Sequence, residues 1–345
     1  MNDRPVLKVQ NLTTRFHSSH GIFTAVDGVS FDVAKGEVLG LVGESGSGKS
    51  VTAMSILRLV SQPGRIEAGS IELNGTDLLS LDEEQIRQKR GTEIGMVFQN
   101  PMTALNPVFT IGWQMGEALK AHDRGDRNSE AIAKALAEVG MSDPQRQAAS
   151  YPHQMSGGMR QRVVIAMGMI NEPQLLIADE PTTALDVTIQ AQVLNLMRKL
   201  TQDHGTALLL ITHNMGVIAK MCDRVAVMYA GEIVEEAPVN ELFTASKHPY
   251  TQGLLRSTPK ADQPRGKMPT LSGSPPDMSQ PLSGCRFQNR CVFRHDRCSA
   301  HPDLLQVGTR HLSRCWIAQS GEPFDQGKLS GETQTKQAEA ASNDI

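Results

Sequence analysis

Residues Glu37–Val60 read EVLGLVGESGSGKSVTAMSILRLV, and three kinds of chain follow one another within them. EVLGLV is an apolar run of strand length. SVTAMSILRLV has helical spacing. Between them Gly43–Ser50, GESGSGKS, fits the pattern G-x-x-x-x-G-K-[ST]. Glycines at such spacing let a loop wrap an anion with its amides pointing inward. The whole loop, Gly43, Glu44, Ser45, Gly46, Ser47, Gly48, Lys49 and Ser50, is therefore a candidate nucleotide site. Lys49 would reach the β- and γ-phosphates, and the Ser50 hydroxyl would ligate Mg²⁺. A glycine-rich turn that merely joins strand to helix is the bland alternative. The complete motif in its strand–loop–helix setting argues against it.

Outward from this unit the pattern repeats. Residues 160–240 alternate helix-like and strand-like runs: QRVVIAMGMI, QLLIAD, TIQAQVLNLMRKL, ALLLIT and RVAVMYAG. The strands are almost continuously apolar, as expected when both faces of a parallel sheet are covered, so the fold class is α/β. Nearer the N-terminus, short alternating runs (VLKVQNL, GVSFDV) and GSIELNG, which closes on an Asn-Gly turn, predict further strands. Residues 112–140 have helical spacing.

LLIADEP (175–181) is an apolar strand ending in Asp179 and Glu180. A strand-end aspartate can hold Mg²⁺ and the adjacent glutamate can orient an attacking water. Alone, such a pair is as readily a helix cap or a solvated turn. Beside a phosphate loop the functional reading prevails. His213 in LLITHN and Gln99 in MVFQNP are each unremarkable in isolation.

The chain has 345 residues, 39% of them hydrophobic, with a formal net charge of −3. That is enough for a sizeable core and two domains. The near-neutral balance argues against a nucleic-acid partner. MNDRPVLKVQ has no apolar core of signal-peptide type. VVIAMGMI and ALLLI fall far short of the ~20 residues that span a bilayer. The chain is expected to be soluble or peripheral, so a role in transport needs partners that supply the pore.

With these motifs in order, residues 5–256 resemble the ATP-binding subunit of an ABC transporter, a P-loop NTPase fold with a parallel-rich core sheet and a helical subdomain at about 100–165. Gly43–Ser50 matches the Walker A loop, Gln99 the glutamine loop that senses Mg²⁺, and Ser156, Gly157 and Gly158 in MSGGMRQR the signature motif. Asp179 and Glu180 match the Walker B aspartate and catalytic glutamate, Ala184–Asp186 the D-loop, and His213 the switch histidine. Phe16 is the first choice for stacking on adenine, with Phe23 competing. The resemblance implies that two subunits sandwich two ATP molecules, the signature of one capping the nucleotide held by the other. One departure stands out: Met159 occupies the usual glutamine position and cannot donate its hydrogen bonds.

Six prolines fall between Ser257 and Gly284, which reads as a linker or an extended strap. A module at 285–318 follows, and 319–345 reads as a disordered tail. HPYTQGLLRSTP (248–259) and the cysteine-bearing segment are similar to the C-terminal extension of the dipeptide/oligopeptide importers, a subfamily that includes nickel importers. This resemblance implies an ATPase that powers peptide import. It also implies two membrane permease subunits, a second ATPase chain, identical or paralogous, and a periplasmic or extracellular solute-binding protein. The place of action is then the cytoplasmic face of the inner membrane. Import of nickel or another small solute is the alternative, and a soluble ABC ATPase is disfavoured by the single cassette and the lack of heptads.

Cys285, Cys291, Cys298 and Cys315 crowd into one short stretch. Four thiolates so placed suit a metal or cluster, although the paired C-x₂-C knuckles of zinc ribbons are absent. The subfamily resemblance implies a [4Fe–4S] cluster, with zinc, disulfides or free thiols as alternatives. Arg286, Arg290, Arg294, Arg297 and Arg314 flank the thiols and would offset a cluster's charge. Cys222 reads as an ordinary buried thiol.

Overall fold

Residues 4–19, 21–122, 128–183, 185–258, 271–280 and 282–324 are described by a computed structural model. In chain order its strands are β1 (Leu7–Ser18), β2 (Gly21–Val33), β3 (Val38–Val42), β4 (Gly64–Leu73), β5 (Thr76–Asp77), β6 (Ile94–Val97), β7 (Leu175–Asp179), β8 (Ala207–Thr212), β9 (Arg224–Tyr229), β10 (Glu232–Pro238), β11 (Leu305–Gly308) and β12 (His311–Ser313). They form two sheets. The smaller is antiparallel, in the order β2-β1-β4-β5. The larger runs β11-β12-β10-β9-β3-β8-β7-β6.

The five strands from β9 to β6 in that larger order are parallel, as the apolar runs predict. Every residue of β3, β7 and β8 is buried. Period-two alternation then shares each strand between two cores. Val38 and Val42 of β3, with Leu208 and Leu210 of β8, join the helices on one face. Leu39, Leu41, Leu209 and Ile211 meet β1 and β2 on the other. Helix Lys49–Ile56 lies on this second side, through Ala53 and Ile56.

The stretch before the signature carries the helices Pro101–Ala104, Ile111–Lys120, Ser129–Glu138 and Pro144–Ala149, leading into Gly157–Met169. Its helix starts carry sequence-local signals: Thr110, Asn128, Asp143 and Ser156 each accept a hydrogen bond from a first-turn amide.

The C-terminal part departs from the expectation of a separate module behind a linker. β12 pairs antiparallel with β10, and β11 with β12, so residues 305–313 extend the main sheet. Of the expected linker, residues 271–280 lie against the cassette: the Thr24 amide donates to the Met278 carbonyl at 3.3 Å, and Met278 is buried. Residues 259–270 and Pro281 lie outside the described residues. The expected tail begins late. Trp316–Ser320 is helical, Gln319 Nε2 donates to the Asp303 and Ser313 carbonyls, and the Phe324 ring meets Phe293 at 5.2 Å. Residues 325–345 lie outside the described residues.

Candidate functional site

The C-terminal ends of β3, β6, β7 and β8 converge, and each carries one element of the expected site. This is where parallel α/β sheets form their crevices. After β3 the phosphate loop is pressed so tightly on its neighbours that two positions admit only glycine. A Cβ on Gly43 would stand 2.1 Å from the Met228 carbonyl oxygen, and one on Gly48, at φ 106°, would stand 2.3 Å from that of Ala25. Lys49 is buried, and its Nζ donates to the carbonyls of Gly43 and Glu44 at 2.8 Å each and to Ser47 Oγ at 3.3 Å. Burial lowers its pKa, while Glu180, Asp179 and Glu44 pull the other way. A phosphate oxygen would be a stronger, charged acceptor for the same ammonium.

Asp179 closes β7 with 5% of its surface exposed. Burial raises its carboxyl pKa. A hydrogen bond from Ser50 and the charge of Lys49 oppose that rise, and Glu180 adds to it. Its Oδ1 is buried without a protein partner. A buried, orphaned carboxylate oxygen beside a serine hydroxyl is the hard-oxygen donor set that Mg²⁺ prefers, so the residues fit the ion.

Glu180 sits at φ 46°, a conformation that non-glycine residues adopt at some cost. Three side chains converge on its carboxylate. His213 Nδ1 lies 3.0 Å from Oε1, Thr183 Oγ1 donates to Oε2 at 2.9 Å, and Gln99 Nε2 donates to Oε2 at 3.1 Å. Burial pushes the carboxyl up, but the hydrogen bonds of His213 and Thr183 and the charges of His213 and Lys49 outweigh it and hold the group below its ordinary value. Glu180 is thus a carboxylate at neutral pH. Gln99 meets Glu180 directly, not the Ser50–Asp179 pair where an Mg²⁺ ligand is expected. Thr183 was not singled out from the sequence. A threonine three residues after a glutamate carries no distinct signal until the turn folds.

Ser156 caps the thirteen-residue helix Gly157–Met169, accepting from the Met159 amide at 3.3 Å. Ser156 and Gly157 are exposed. A Cβ on Gly158 would meet Ile189 Cγ2 at 2.8 Å, so the signature is seated against helix Val187–His204. Met159 is partly buried against the main core, packing where the family's usual glutamine would stand. Asp186 caps helix Val187–His204, accepting from the amides of Thr188 and Ile189. Ala184 lies outside the described residues. Phe16 and Phe23 are directly opposed across β1 and β2. The Phe16 ring lies over Gly64, whereas Phe23 is 39% exposed.

The described cysteines are all unpaired. Burial pushes Cys285 and Cys291 up to about 12 and raises Cys315, and the neighbouring cysteines push each of the three further. Among the described residues, however, no three of His, Cys, Asp and Glu are gathered closely enough to hold a metal ion, so the expected donor set is not assembled. The flanking arginines also have other partners. Arg286 reaches Asp27 and the Ala230 carbonyl, Arg290 reaches Glu44, Arg314 reaches the Ile233 and Pro302 carbonyls, and Arg297 stacks on Trp316 at 4.5 Å. Cys222 is buried, which raises its thiol pKa strongly.

Two family patterns match this sequence: ABC transporter over residues 26–183, and the oligopeptide/dipeptide transporter C-terminal region over residues 234–298. A putative peptide import ATP-binding protein of Brucella melitensis is 51% identical over 331 residues, covering 91% of this chain and 98% of that protein. The dipeptide transport ATP-binding protein DppD of Escherichia coli is 44% identical over 313 residues, covering 90% and 96%. Among solved structures, the dimeric ATP-binding cassette MJ0796 bound to ADP and Pi is similar with a TM-score of 0.60 and 28% identity, over 68% of this chain and 98% of that one.

Proposed function

This chain belongs to the ABC transporter family, and from that premise we propose that it hydrolyses ATP to drive import of di- or oligopeptides through a membrane complex. The C-terminal family match and the names of the relatives support the peptide reading over nickel or another small solute. Among the described residues no helix is long and apolar enough to cross a membrane. Two permease subunits would supply the path, a solute-binding protein the cargo, and the inner membrane's cytoplasmic face the place of action. A groove of about 260 Å³ beside Gln99, lined by Leu57, Leu59, Met96, Phe98, Ala104 and Met167, suits a short apolar permease segment. Leu59 and Phe98 are 40% and 41% exposed there.

The observation that carries the catalytic reading is the convergence of Gln99, Thr183 and His213 on Glu180, beside buried Lys49. In the proposed cycle Lys49 exchanges its loop carbonyls for phosphate oxygens. Asp179 and Ser50 would hold Mg²⁺, which neutralises charge on the β- and γ-phosphates. Glu180 orients water for in-line attack, and His213 steadies that carboxylate and the charge developing on the γ-phosphate. Phe16, with Phe23 opposite, would receive the adenine. Ser156, Gly157 and Gly158 would cap the γ-phosphate of a second ATPase chain, with Asp186 at the same boundary.

Glu180→Gln should keep ATP binding and slow hydrolysis at least ~10²-fold, a barrier increase of about 2.7 kcal/mol. Single-turnover hydrolysis by the reconstituted transporter measures it, and near-normal turnover would remove Glu180 from this role. For the cysteine region the proposed occupant is a [4Fe–4S] cluster, whose binding would have to draw together thiols that the described residues do not gather closely enough for a metal ion. Its support is the sequence alone, four cysteines in a stretch of 31 residues, Cys285–Cys315. Anaerobic preparations should carry about four irons and matching acid-labile sulfide per chain; stoichiometric zinc without iron would replace the cluster with a zinc site.

A further inference from the structure

Glu44, the second residue of the phosphate loop, is held at every polar group. Its amide donates to the Tyr250 hydroxyl at 2.8 Å and its carbonyl accepts from Lys49 at 2.8 Å. Its carboxylate receives both ends of one guanidinium: Arg290 Nη1 donates to Oε2 at 2.7 Å and Nη2 to Oε1 at 2.9 Å. Tyr250 and Arg290 both belong to the C-terminal region, far from the loop in sequence.

Arg290 is itself fixed. Its side chain is 4% exposed. Its Nε donates to the Ser272 carbonyl at 3.0 Å, and its guanidinium lies 5.7 Å and 5.8 Å from the Tyr229 and Phe287 ring centres. A planar fork locked this way transmits position as well as charge to a carboxylate. Without it, Glu44 would keep a negative charge, uncompensated, on the loop that must receive a triphosphate.

We propose that Arg290 is a positioning residue for nucleotide binding: by pairing with Glu44 it sets the phosphate loop's geometry and cancels a charge that would repel the phosphates. The proposal rests on reading Gly43–Ser50 as the ATP site. It makes the C-terminal region part of the nucleotide-binding machinery of its own chain. Tyr250 assists by holding the Glu44 amide, and neither side chain touches the reacting atoms.

The test titrates the full-length chain with a fluorescent ATP analogue and compares KM with kcat for ATP in the assembled transporter. Arg290→Ala should weaken ATP affinity and raise KM about tenfold, with kcat changed less than about threefold. Adding Glu44→Gln to Arg290→Ala removes the stranded charge but not the missing fork, so it should recover roughly half of the lost affinity on a logarithmic scale, about threefold of the tenfold loss. Arg290→Lys keeps a point charge without the fork and should fall between the two; it replaces Arg290→Ala in the same comparison if the alanine variant does not fold. Wild-type affinity in Arg290→Ala would overturn the proposal. So would a loss that Glu44→Gln leaves unchanged, because that would mark packing alone. Lys49→Ala separates the premise: if it retained full ATP affinity, the loop itself would not be the nucleotide site.

Discussion

His248 shows how one residue can be committed before any catalysis begins. It is buried at the start of helix Pro249–Arg256, where its Nδ1 accepts the Tyr250 amide at 3.1 Å. A ring that accepts there must be neutral. Burial lowers its pKa to about 3, and the positive charge of Arg314 adds to that, against a hydrogen bond the ring donates to the Arg314 backbone, which opposes it. The folded chain therefore refuses a proton that the unfolded chain takes up below its ordinary value near 6.5. Stability falls as pH drops from about 6.5 toward 3, by up to about 1.4 kcal/mol per pH unit from this group. Denaturant midpoints between pH 7 and pH 4 should show a shallower acid slope in His248→Asn, which keeps a capping acceptor but does not titrate. An unchanged slope would assign the acid sensitivity elsewhere. Glu180 is legible at the same scale because it ends an apolar strand. Its partner Thr183 is not, because only the turn at φ 46° brings the hydroxyl to the carboxylate.

Strand β10 is the element that the sequence hides best. It carries Glu232, Glu235 and Glu236, all buried, in a run whose three carboxyl groups give no local sign of burial. The C-terminal region makes that burial tolerable. His311 lies 2.7 Å from Glu235, His301 lies 2.8 Å from Glu232, and Arg286 and Arg314 reach Glu232 at 3.4 and 3.7 Å. Arg224 of β9 meets Glu236 at 3.2 Å. Burial still lifts Glu236 to about 7. His311→Ala should cost about 1–3 kcal/mol of stability, because it leaves a fully buried carboxyl group with only the Lys247 amide as donor. His301→Ala should cost less, since His301 is 40% exposed and Glu232 keeps both arginines. Thermal melting of the two variants checks this, and equal losses would mean that the C-terminal region is not seated through Glu235. β11 and β12 escape sequence reading for a simpler reason. They are four and three residues long, and β11 shows no buried alternation.

At the scale of the whole molecule, the capped start of helix Gly157–Met169 faces solvent, and Val187, at the start of helix Val187–His204, is 82% exposed. Both features suit a face completed by a second ATPase chain. Glu180→Gln, binding ATP without consuming it, should accumulate an ATP-dependent dimer in size-exclusion chromatography with light scattering. A strictly monomeric ATP-bound variant would oppose the sandwich arrangement. Parallel strands, the glycine-rich loop and the acidic pair at the end of β7 were determined by the sequence alone, because each depends on neighbours a few residues away: continuous apolar runs, glycine spacing, a charge at a strand end. Tertiary structure alone decided that the C-terminal region joins the main sheet and reaches back to the phosphate loop. Arg290 and Glu44 are 246 residues apart, and no local pattern records a pairing that exists only once two distant surfaces have packed.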